Sequence, residues 1–451
     1  MKLKIIQGSE NYTCQVIKLP KKVEIQGLDN LVSVNYQGNS CLIGKNANEE
    51  ELYLFFPAEC ELNHEFLKAN NLYRHTHLNL DASKKGFFED NRRVKAIKFK
   101  GVISSGFIIP LSSLNYLYVQ STTSWNKSII PILNIGDEFN IIAGIEICKK
   151  FVRQLPKVKG ISNPKTKVLD EIVDSKFVPE HPDTTHLLKS VHKLNINDYI
   201  AVTYKLHGTS ARYYNTLVKR KLSIKDRIAK FLGIKIQEEL YEYICASRRV
   251  VKSCGFEELP NKNHYFKSGD LWSEIGKKYF ENKLNHGEAI YCEIVGKTYS
   301  GEDIQHGYSY GFEQPEVFVY RISNINSQGI EVDLSYLQMK ERCNQLGINY
   351  CPELFYGTIN QFLYKYRTLG AIDALEEDNR NIETYLTHIF YDNLLEKPSV
   401  LDKNIIEEGF CIRKDTCNKP EIYKIKSKQF LLFEGHSLDN EIKDIEEEQN
   451  A

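Results

Sequence analysis

The stretch Lys205-Leu206-His207-Gly208-Thr209-Ser210 places a lysine three residues before a glycine, and two hydroxyl residues follow that glycine. A lysine amine acts as a covalent nucleophile, for example on the α-phosphorus of a nucleotide, when its surroundings favour the neutral form. The glycine permits a tight backbone turn, and nearby donors spread charge over phosphate oxygens. A surface turn has the same short pattern, so the interpretation depends on segments elsewhere in the chain.

Two later segments combine a buried-strand pattern with a side chain suited to a nucleotide site. Tyr291–Gly296 places Glu293 inside an apolar run that is rich in β-branched and aromatic residues. Val317–Ile322 is a second such run, and it carries Tyr320, an aromatic that can stack on a base. Both segments predict strands that bring these side chains toward one site.

Two segments near the end of the chain repeat this design. Glu408–Arg413 again joins a carboxylate to a strand pattern. Lys424, Lys426 and Lys428 alternate with other residues, so a strand at this place would present all three lysines on one face. The order of the five segments, together with their chemistry, is what a lysyl-AMP site requires.

With Lys205, these segments resemble motifs I, III, IIIa, IV and V of the covalent nucleotidyltransferase superfamily of ligases and capping enzymes. Within it the chain is most similar to ATP-dependent RNA ligases. His207 stands where most DNA ligases and capping enzymes carry aspartate, and a long segment precedes the nucleophile, as in RNA ligase family 5. Gly86–Phe88 and Phe177–Thr184 are also similar to that family, and the resemblance covers residues 35–435.

The resemblance implies an α+β protein: an N-terminal OB-like β-barrel domain, then a nucleotidyltransferase domain of the ATP-grasp-like ligase type. It implies ATP and Mg²⁺ or Mn²⁺ as cofactors. It also implies RNA with 3′-OH and 5′-phosphate ends as the substrate, joined at nicks in duplexes through lysyl-AMP and RNA-adenylate intermediates.

The resemblance also assigns roles to residues. Lys205 is the catalytic nucleophile, and Lys424 and Lys426 contact the α-phosphate and stabilise the transition state. The resemblance favours Glu408 as the metal-side carboxylate and Glu293 as a ribose or metal contact, and which of the two holds the metal stays open. The residues assigned to nucleotide binding are Lys205, His207, Gly208, Arg212, Arg248, Glu293, Tyr320, Lys424 and Lys426.

Three other functions fit part of the sequence. A DNA ligase or a capping guanylyltransferase usually carries its OB domain after the catalytic domain, and here too little chain follows Lys428 for an OB fold. A catalytically silent RNA-binding protein with the same fold would not need the charged motif positions, all of which are present. An RNA ligase remains the favoured function.

Composition limits the broad class of protein. The chain has 451 residues, with 59 basic and 59 acidic side chains, so attraction to RNA must come from local patches such as residues 217–235. No apolar run is long enough to span a membrane, and no signal peptide is evident. The 11 cysteines show no paired spacing, which is typical of reduced thiols. We therefore expect a cytoplasmic protein without a membrane partner.

Turn and proline signals suggest the domain limits. We predict that residues 1–153 form the OB-like domain and that 154–182 form a proline-interrupted linker. Residues 183–435 are predicted to form the nucleotidyltransferase domain, and 436–451 an acidic tail to which no role is assigned. Within the first domain, the basic residues at 92–100 alternate with apolar ones, which predicts a strand whose cationic face binds a polynucleotide backbone. Helical spacing occurs at 222–245, 268–285 and 360–395.

Overall fold

The computed structural model of the protein describes residues 3–117, 131–153, 173–181, 184–220, 222–254, 266, 269–366, 382–417 and 419–439. Most of the expected linker, at 154–172 and 182, lies outside these residues, as does the tail after 439. The described residues have a mixed α and β fold. Among them, no helix is long and apolar enough to cross a membrane.

The N-terminal part consists mainly of short antiparallel strands. These strands are β1 Leu3–Lys4, β2 Cys14–Lys18, β3 Lys22–Glu24, β4 Leu31–Tyr36, β5 Asn39–Gly44, β6 Leu52–Pro57, β7 Cys60–Leu62, β8 Ile97–Phe99, β9 Val102–Ser104, β10 Gly106–Pro110, β11 Glu138–Phe139, β12 Ile141–Ile142, β13 Ile145–Glu146 and β14 Cys148–Lys150. The sheet order β10-β6-β2-β11 forms the largest unit, and β3-β4-β5 forms a second one.

The strands of this part form separate small sheets. Within residues 3–117 and 131–153 they do not close into one barrel, so the predicted OB-like barrel is not confirmed. Two apolar clusters hold the sheets together, one around Phe56 and Phe66 and the other around Phe55 and Val34. Burial of the side chains in these clusters stabilises this part, because apolar area removed from water contributes about 25 cal/mol per Å².

The C-terminal part contains two larger sheets. Its strands are β15 Thr185–His186, β16 Tyr199–Lys205, β17 Thr209–Lys219, β18 Glu239–Ser247, β19 Val251–Cys254, β20 Glu288–Val295, β21 Glu316–Ile325, β22 Glu331–Asp333, β23 Asn349–Tyr350, β24 Glu353–Thr358, β25 Gly409–Lys414 and β26 Glu421–Lys426. One sheet has the order β19-β18-β17-β20-β21-β22, with β23 beside β21, and the other has the order β15-β26-β25-β16-β24.

The described residues also form helices, most of which pack against a sheet. They are α1 His64–Ala69, α2 Ile224–Phe231, α3 Leu271–Tyr279, α4 Tyr336–Leu346, α5 Ile359–Lys365, α6 Ile382–His388, which continues as a π-helical segment at Ile389–Leu394, and α7 Lys428–Asp439. Local sequence fixes several starts. Ser335 and Thr358 accept from backbone amides at the starts of α4 and α5, and the glutamine at the third helical position completes a capping box in each.

Strand β20 is the centre of the larger sheet. Each of its eight residues is buried, and it pairs antiparallel with β17 on one side and β21 on the other. A core that includes Trp272, Phe280 and Ile290 packs helices α3 and α4 on this sheet. The smaller sheet has its own core around Phe362, Phe390 and Phe410. Rigid, buried strands of this kind hold side chains in fixed positions.

The predicted elements are confirmed for the strand motifs and only in part for the helices. Residues 288–295 and 316–325 are strands, and α3 lies inside the predicted 268–285. The helix predicted over 222–245 is wrong beyond residue 231, because β18 begins at residue 239 and pairs along β17. In 360–395, α5 and α6 are present, and 367–381 lies outside the described residues.

Candidate active site

Lys205 is the last residue of β16, and its amine ends beside a buried carboxylate. Lys205 Nζ lies 2.7 Å from Oε1 of Glu408, which precedes β25 and has a side chain only 1% exposed. The backbones pair directly, because Lys205 faces Gly409 across the two strands. Residues distant in sequence are thus joined by strand register.

The neighbours of Lys205 determine its charge. Burial lowers the pKa of the Lys205 amine, but the carboxylates of Glu408 and Glu293, together with Cys411, outweigh burial and leave the pKa above its ordinary value. The amine is therefore held as an ammonium ion in this arrangement. Nucleophilic attack then requires the proton to leave Lys205 first.

Glu408 retains one oxygen for another ligand. Its Oε2 atom is buried and has no hydrogen-bond partner among the described residues. A buried carboxylate oxygen of this kind fits a hydrated divalent cation, which takes one or two protein carboxylates and keeps several waters. The described residues contain no cluster of three or more His, Cys, Asp or Glu side chains able to hold a metal alone. The donor set thus suits a cation shared with a phosphate ligand.

Lys426 in β26 completes a four-charge group with Lys205, Glu408 and Glu434. Its Nζ lies 2.9 Å from Oε1 of Glu434 and 3.6 Å from Oε1 of Glu408. Burial lowers the pKa of Lys426, and the two carboxylates outweigh this effect, so the pKa is raised. Lys424 lies two residues earlier on the same strand, and both lysines line the same cavity. The sequence predicted that Lys428 would lie on the same strand face. This prediction is wrong, because α7 begins at Lys428.

The turn after Lys205 is held by strand β20. Gly208 N donates to Glu293 Oε1 at 3.0 Å, and Ser210 Oγ donates to Glu293 Oε2 at 3.2 Å. A methyl group at Gly208 would lie 2.3 Å from the carbonyl oxygen of Ile294, so only glycine fits. Glycine is thus required at position 208 because strand β20 approaches its backbone closely.

Two residues that the sequence reasoning missed also fix this turn. Gln305 Nε2 donates to the carbonyl oxygen of Gly208 at 3.0 Å, and His207 N donates to Tyr310 Oη at 2.7 Å. The His207 ring lies between Tyr308 and Phe430, with 5.0 Å between ring centroids in each case. No short motif marks these partners, since they lie about a hundred residues or more away along the chain.

The remaining predicted site residues divide into two groups. Tyr320 and Arg248 line the same cavity as Lys205, and the Tyr320 ring lies 5.4 Å from that of His181. Arg212 does not line it. Its guanidinium is buried and donates to the carbonyl oxygens of Ser247 and Pro179, at 2.8 and 2.6 Å. This geometry gives Arg212 a structural role and does not support a nucleotide contact.

The cavity that joins these residues has a volume of about 370 Å³. Its walls come from both sheets of the C-terminal part and also from the N-terminal part, through residues such as Tyr12, Lys150 and Phe151. Lys189 spans the two parts, since its Nζ donates to Thr13 Oγ1 at 2.8 Å and lies 2.9 Å from Glu138 Oε2. A ligand in this cavity would contact both parts of the chain.

Helix α7 places Glu434 opposite Lys426. Its start is capped by Glu396, whose carboxylate accepts from the backbone amides of Lys428 and Gln429, at 2.5 and 3.1 Å. Its end reaches the N-terminal part, where Asp439 lies 3.3 Å from Arg93 and 3.0 Å from Lys95. The predicted limit at residue 435 therefore falls within a helix, and the first residues of the expected tail have a structural role.

The basic segment 92–100 also differs from prediction. The Arg93 side chain is 1% exposed and lies 2.7 Å from Glu59 Oε1, so it is unable to reach a nucleic acid. Only Ile97–Phe99 form a strand, β8, and all three residues are exposed. Arg93 is taken out of the predicted cationic face by ion pairs, because Glu59 and Asp439 approach it from other parts of the chain. Lys98 and Lys100 remain exposed.

The two-sheet fold and the lysine-lined cavity match what the sequence predicted for an enzyme of the covalent nucleotidyltransferase superfamily. The RNA ligase family matches this sequence over residues 198–426, which is more than half of the chain. The protein therefore belongs to the RNA ligase family. No curated protein matches the sequence.

Solved structures give the same fold. A lysine-to-methionine variant of Naegleria gruberi RNA ligase with AMP and Mn has a TM-score of 0.52 at 14% identity, covering 93% of this chain and 97% of that chain. A lysine-to-alanine variant of that ligase, with ATP and Mn, has a TM-score of 0.52 at 13% identity, covering 96% and 99%. The ligase with PPi has a TM-score of 0.51 at 14% identity, covering 93% and 97%. At such identities the likeness concerns the fold.

Proposed function

We propose that the protein is an ATP-dependent RNA ligase that joins 3′-OH and 5′-phosphate ends through lysyl-AMP and RNA-adenylate, with nicks in RNA duplexes as its substrate. The observation that carries this proposal is the charge group of Lys205, Lys424, Lys426 and Glu408 in one cavity. Its cations suit phosphate oxygens, and Lys205 Nζ lies nearer to Glu408 than Lys426 Nζ does, at 2.7 against 3.6 Å from Oε1.

The reaction consists of three displacements at phosphorus. In the first, the neutral amine of Lys205 attacks the α-phosphorus of ATP, a P–N bond forms, the bond to the bridging oxygen breaks and pyrophosphate leaves. In the second, an oxygen of the RNA 5′-phosphate attacks the same phosphorus and the P–N bond breaks. In the third, the RNA 3′-OH attacks the 5′-phosphorus and AMP leaves. Positioning and charge neutralisation dominate catalysis of this kind.

The positions of the side chains support specific roles. Lys424 and Lys426 are proposed to bind the α-phosphate and to stabilise the negative charge that develops on its oxygens. Tyr320 is proposed to stack on adenine and Arg248 to bind phosphate, because both line the cavity. Glu293 holds the nucleophile turn through Gly208 and Ser210, and this contact favours positioning as its main role.

A divalent cation, Mg²⁺ or Mn²⁺, is proposed to bind at Glu408. When bound, it would neutralise charge on phosphate oxygens. Glu408 would supply the Oε2 atom that has no partner among the described residues, and cation binding there would weaken the hold of this carboxylate on the Lys205 proton.

The N-terminal part is proposed to act as the OB-like RNA-binding domain, with the domain limit in 154–182. Its contribution of Tyr12 and Lys150 to the cavity wall supports a direct role at the reacting ends. A cytoplasmic location, where RNA and reduced thiols occur together, also belongs to this proposal.

Covalent labelling tests the first step. The purified protein and Lys205→Ala are incubated with α-labelled ATP or GTP and Mg²⁺ or Mn²⁺, and label on the protein is measured. We expect label from ATP that is lost in acid, is stable in alkali as a phosphoramidate, and is absent in the variant. Label from GTP alone would turn the function toward capping, and no label at all would favour a silent RNA-binding protein.

The substrate is tested with three nicked duplexes that differ only in the two strands that meet at the nick. The strand with the 3′-OH and the strand with the 5′-phosphate are both RNA in the first duplex, RNA and DNA respectively in the second, and both DNA in the third. We expect sealing where the 3′-OH strand is RNA. Equal sealing of the all-DNA duplex would contradict the assignment of RNA, while leaving the lysyl-AMP step intact.

A further inference from the structure

The connection between β17 and β18 carries an exposed amphipathic helix that the proposed reaction does not use. We call residues 222–235 the hairpin tip; it contains α2. Strands β17 and β18 pair as far as Lys219 and Glu239, so the tip is held at the end of a regular two-stranded ladder. Among the described residues, α2 buries none of its side chains.

The tip exposes large apolar side chains on one face. Ile224, Ile228 and Phe231 share a helical face, because they are spaced by four and three residues, and Leu232 follows Ile228 by four. Ile224 is 78% exposed, Ile228 55% and Phe231 89%. Exposed apolar groups in one patch, unlike single ones, mark an interaction surface.

Basic side chains flank this apolar face. At 3.6 residues per turn, Lys225 falls beside Leu232 and Arg227 falls beside Phe231, one on each edge. Within the described residues no ion pair is found for either of them. The one acid in the tip, Asp226, lies 3.0 Å from Arg220 and caps the helix through Ser223. The tip thus has unopposed positive charge along both sides of an apolar stripe.

We infer that the hairpin tip docks on an anionic membrane surface. A helix with aromatic and aliphatic groups on one face and cations at the edges lies in the plane of the lipid headgroups, apolar face inward. Lysine and arginine stems extend along such a face while their charges reach the headgroups. The phosphates of RNA would bind the cations, but RNA binding does not explain why the apolar stripe is exposed. This inference departs from the expectation, drawn from the sequence, of no membrane partner, and it needs no membrane-crossing helix, of which the described residues have none.

The test is sedimentation with vesicles of phosphatidylcholine alone or with phosphatidylserine. We expect the full chain to bind the anionic vesicles and to lose most of this binding at high salt. A variant with Ile228→Ser and Phe231→Ser is expected to bind at least tenfold more weakly. Ile330→Ser is the matched control, because Ile330 is also 55% exposed and lies outside the tip.

A second variant tests the charge. Lys225→Gln with Arg227→Gln is expected to remove the preference for phosphatidylserine, whereas Lys403→Gln, at another exposed lysine, retains it. All variants should accept label from ATP as before, since the tip is not part of the cavity. The inference is overturned if neither vesicle binds, or if both tip variants bind like the controls. It is equally overturned if they lose duplex RNA affinity or self-association in place of vesicle binding.

Discussion

Lys205 and Glu408 form an ion pair, with 2.7 Å between Nζ and Oε1, in which the carboxylate is buried and the amine is not fully so. This pair raises the pKa of the residue proposed as the nucleophile, which is the opposite of what attack requires. The pair therefore keeps the amine protonated until another cation binds Glu408. On the proposed function, a cation that binds Glu408 would release the proton from Lys205.

Replacement of Glu408 tests that link. We expect Glu408→Gln to raise the Mn²⁺ concentration needed for half-maximal protein labelling at least tenfold, because an amide oxygen is a weaker ligand for a hard cation. The rate of labelling at several Mn²⁺ concentrations measures this. Glu421→Gln is the control, since Glu421 pairs with Lys414 at the far end of the same strands. An unchanged Mn²⁺ dependence in Glu408→Gln would place the cation elsewhere.

The fit of Gly208 against β20 leads to a prediction about stability and activity together. A methyl group there would meet the carbonyl oxygen of Ile294 at 2.3 Å and Val295 at 2.8 Å, so the turn must move. We expect Gly208→Ala to lower the free energy of unfolding by about 1–3 kcal/mol, and to lower labelling at Lys205 by more than tenfold.

Gly44→Ala is the matched control for this change, because a methyl group at Gly44 meets nothing within 4 Å and its backbone suits any residue. Denaturant unfolding of the two variants separates the effect of the clash from that of glycine loss in general. Equal stability of Gly208→Ala and Gly44→Ala would show that β20 does not hold the turn.

The sequence predicted the strands of the site well and its contacts less well. Glu293, Tyr320 and Lys426 lie in or next to strands because apolar alternation is a local property of the chain. Partners such as Glu434 and Gln305 carry no local signal, since they reach the site only through packing of distant segments. Arg212 lies near a motif and was therefore predicted to bind the nucleotide, but its guanidinium donates to backbone carbonyl oxygens.

Arg93 connects the N-terminal part to α7, and its loss should be costly. Its buried guanidinium pairs with Glu59 and with Asp439, whose side chain is 37% exposed. We expect Arg93→Met to lower the free energy of unfolding by about 3 kcal/mol, because it leaves the buried Glu59 carboxylate without its partner. Asp439→Asn should cost less, about 1 kcal/mol, because Asp439 is partly exposed and Arg93 keeps its pair with Glu59.

Urea unfolding of both variants checks this difference. Arg74→Met is the control, because Arg74 pairs with Glu89 at 3.6 Å on the surface, with more than half of its side chain exposed. If Arg93→Met cost no more than Arg74→Met, the connection between the N-terminal part and α7 would contribute nothing to stability.

His186 gives the protein a specific dependence on pH. Burial, with the positive charges of Lys424 and Lys189, lowers its pKa from 6.5 to about 4. As the pH falls below 6.5, the unfolded chain binds a proton that the folded chain does not bind, so the free energy of unfolding decreases until about pH 4. The full effect is on the order of 3 kcal/mol, since a lowering by about 2.5 pKa units corresponds to about 1.4 kcal/mol per unit. We expect His186→Asn to lose less stability than the wild type between pH 7 and about pH 4, as measured by urea unfolding, while exposed His192→Asn follows the wild type. Parallel curves for wild type and His186→Asn would mean that His186 is protonated equally well in both states.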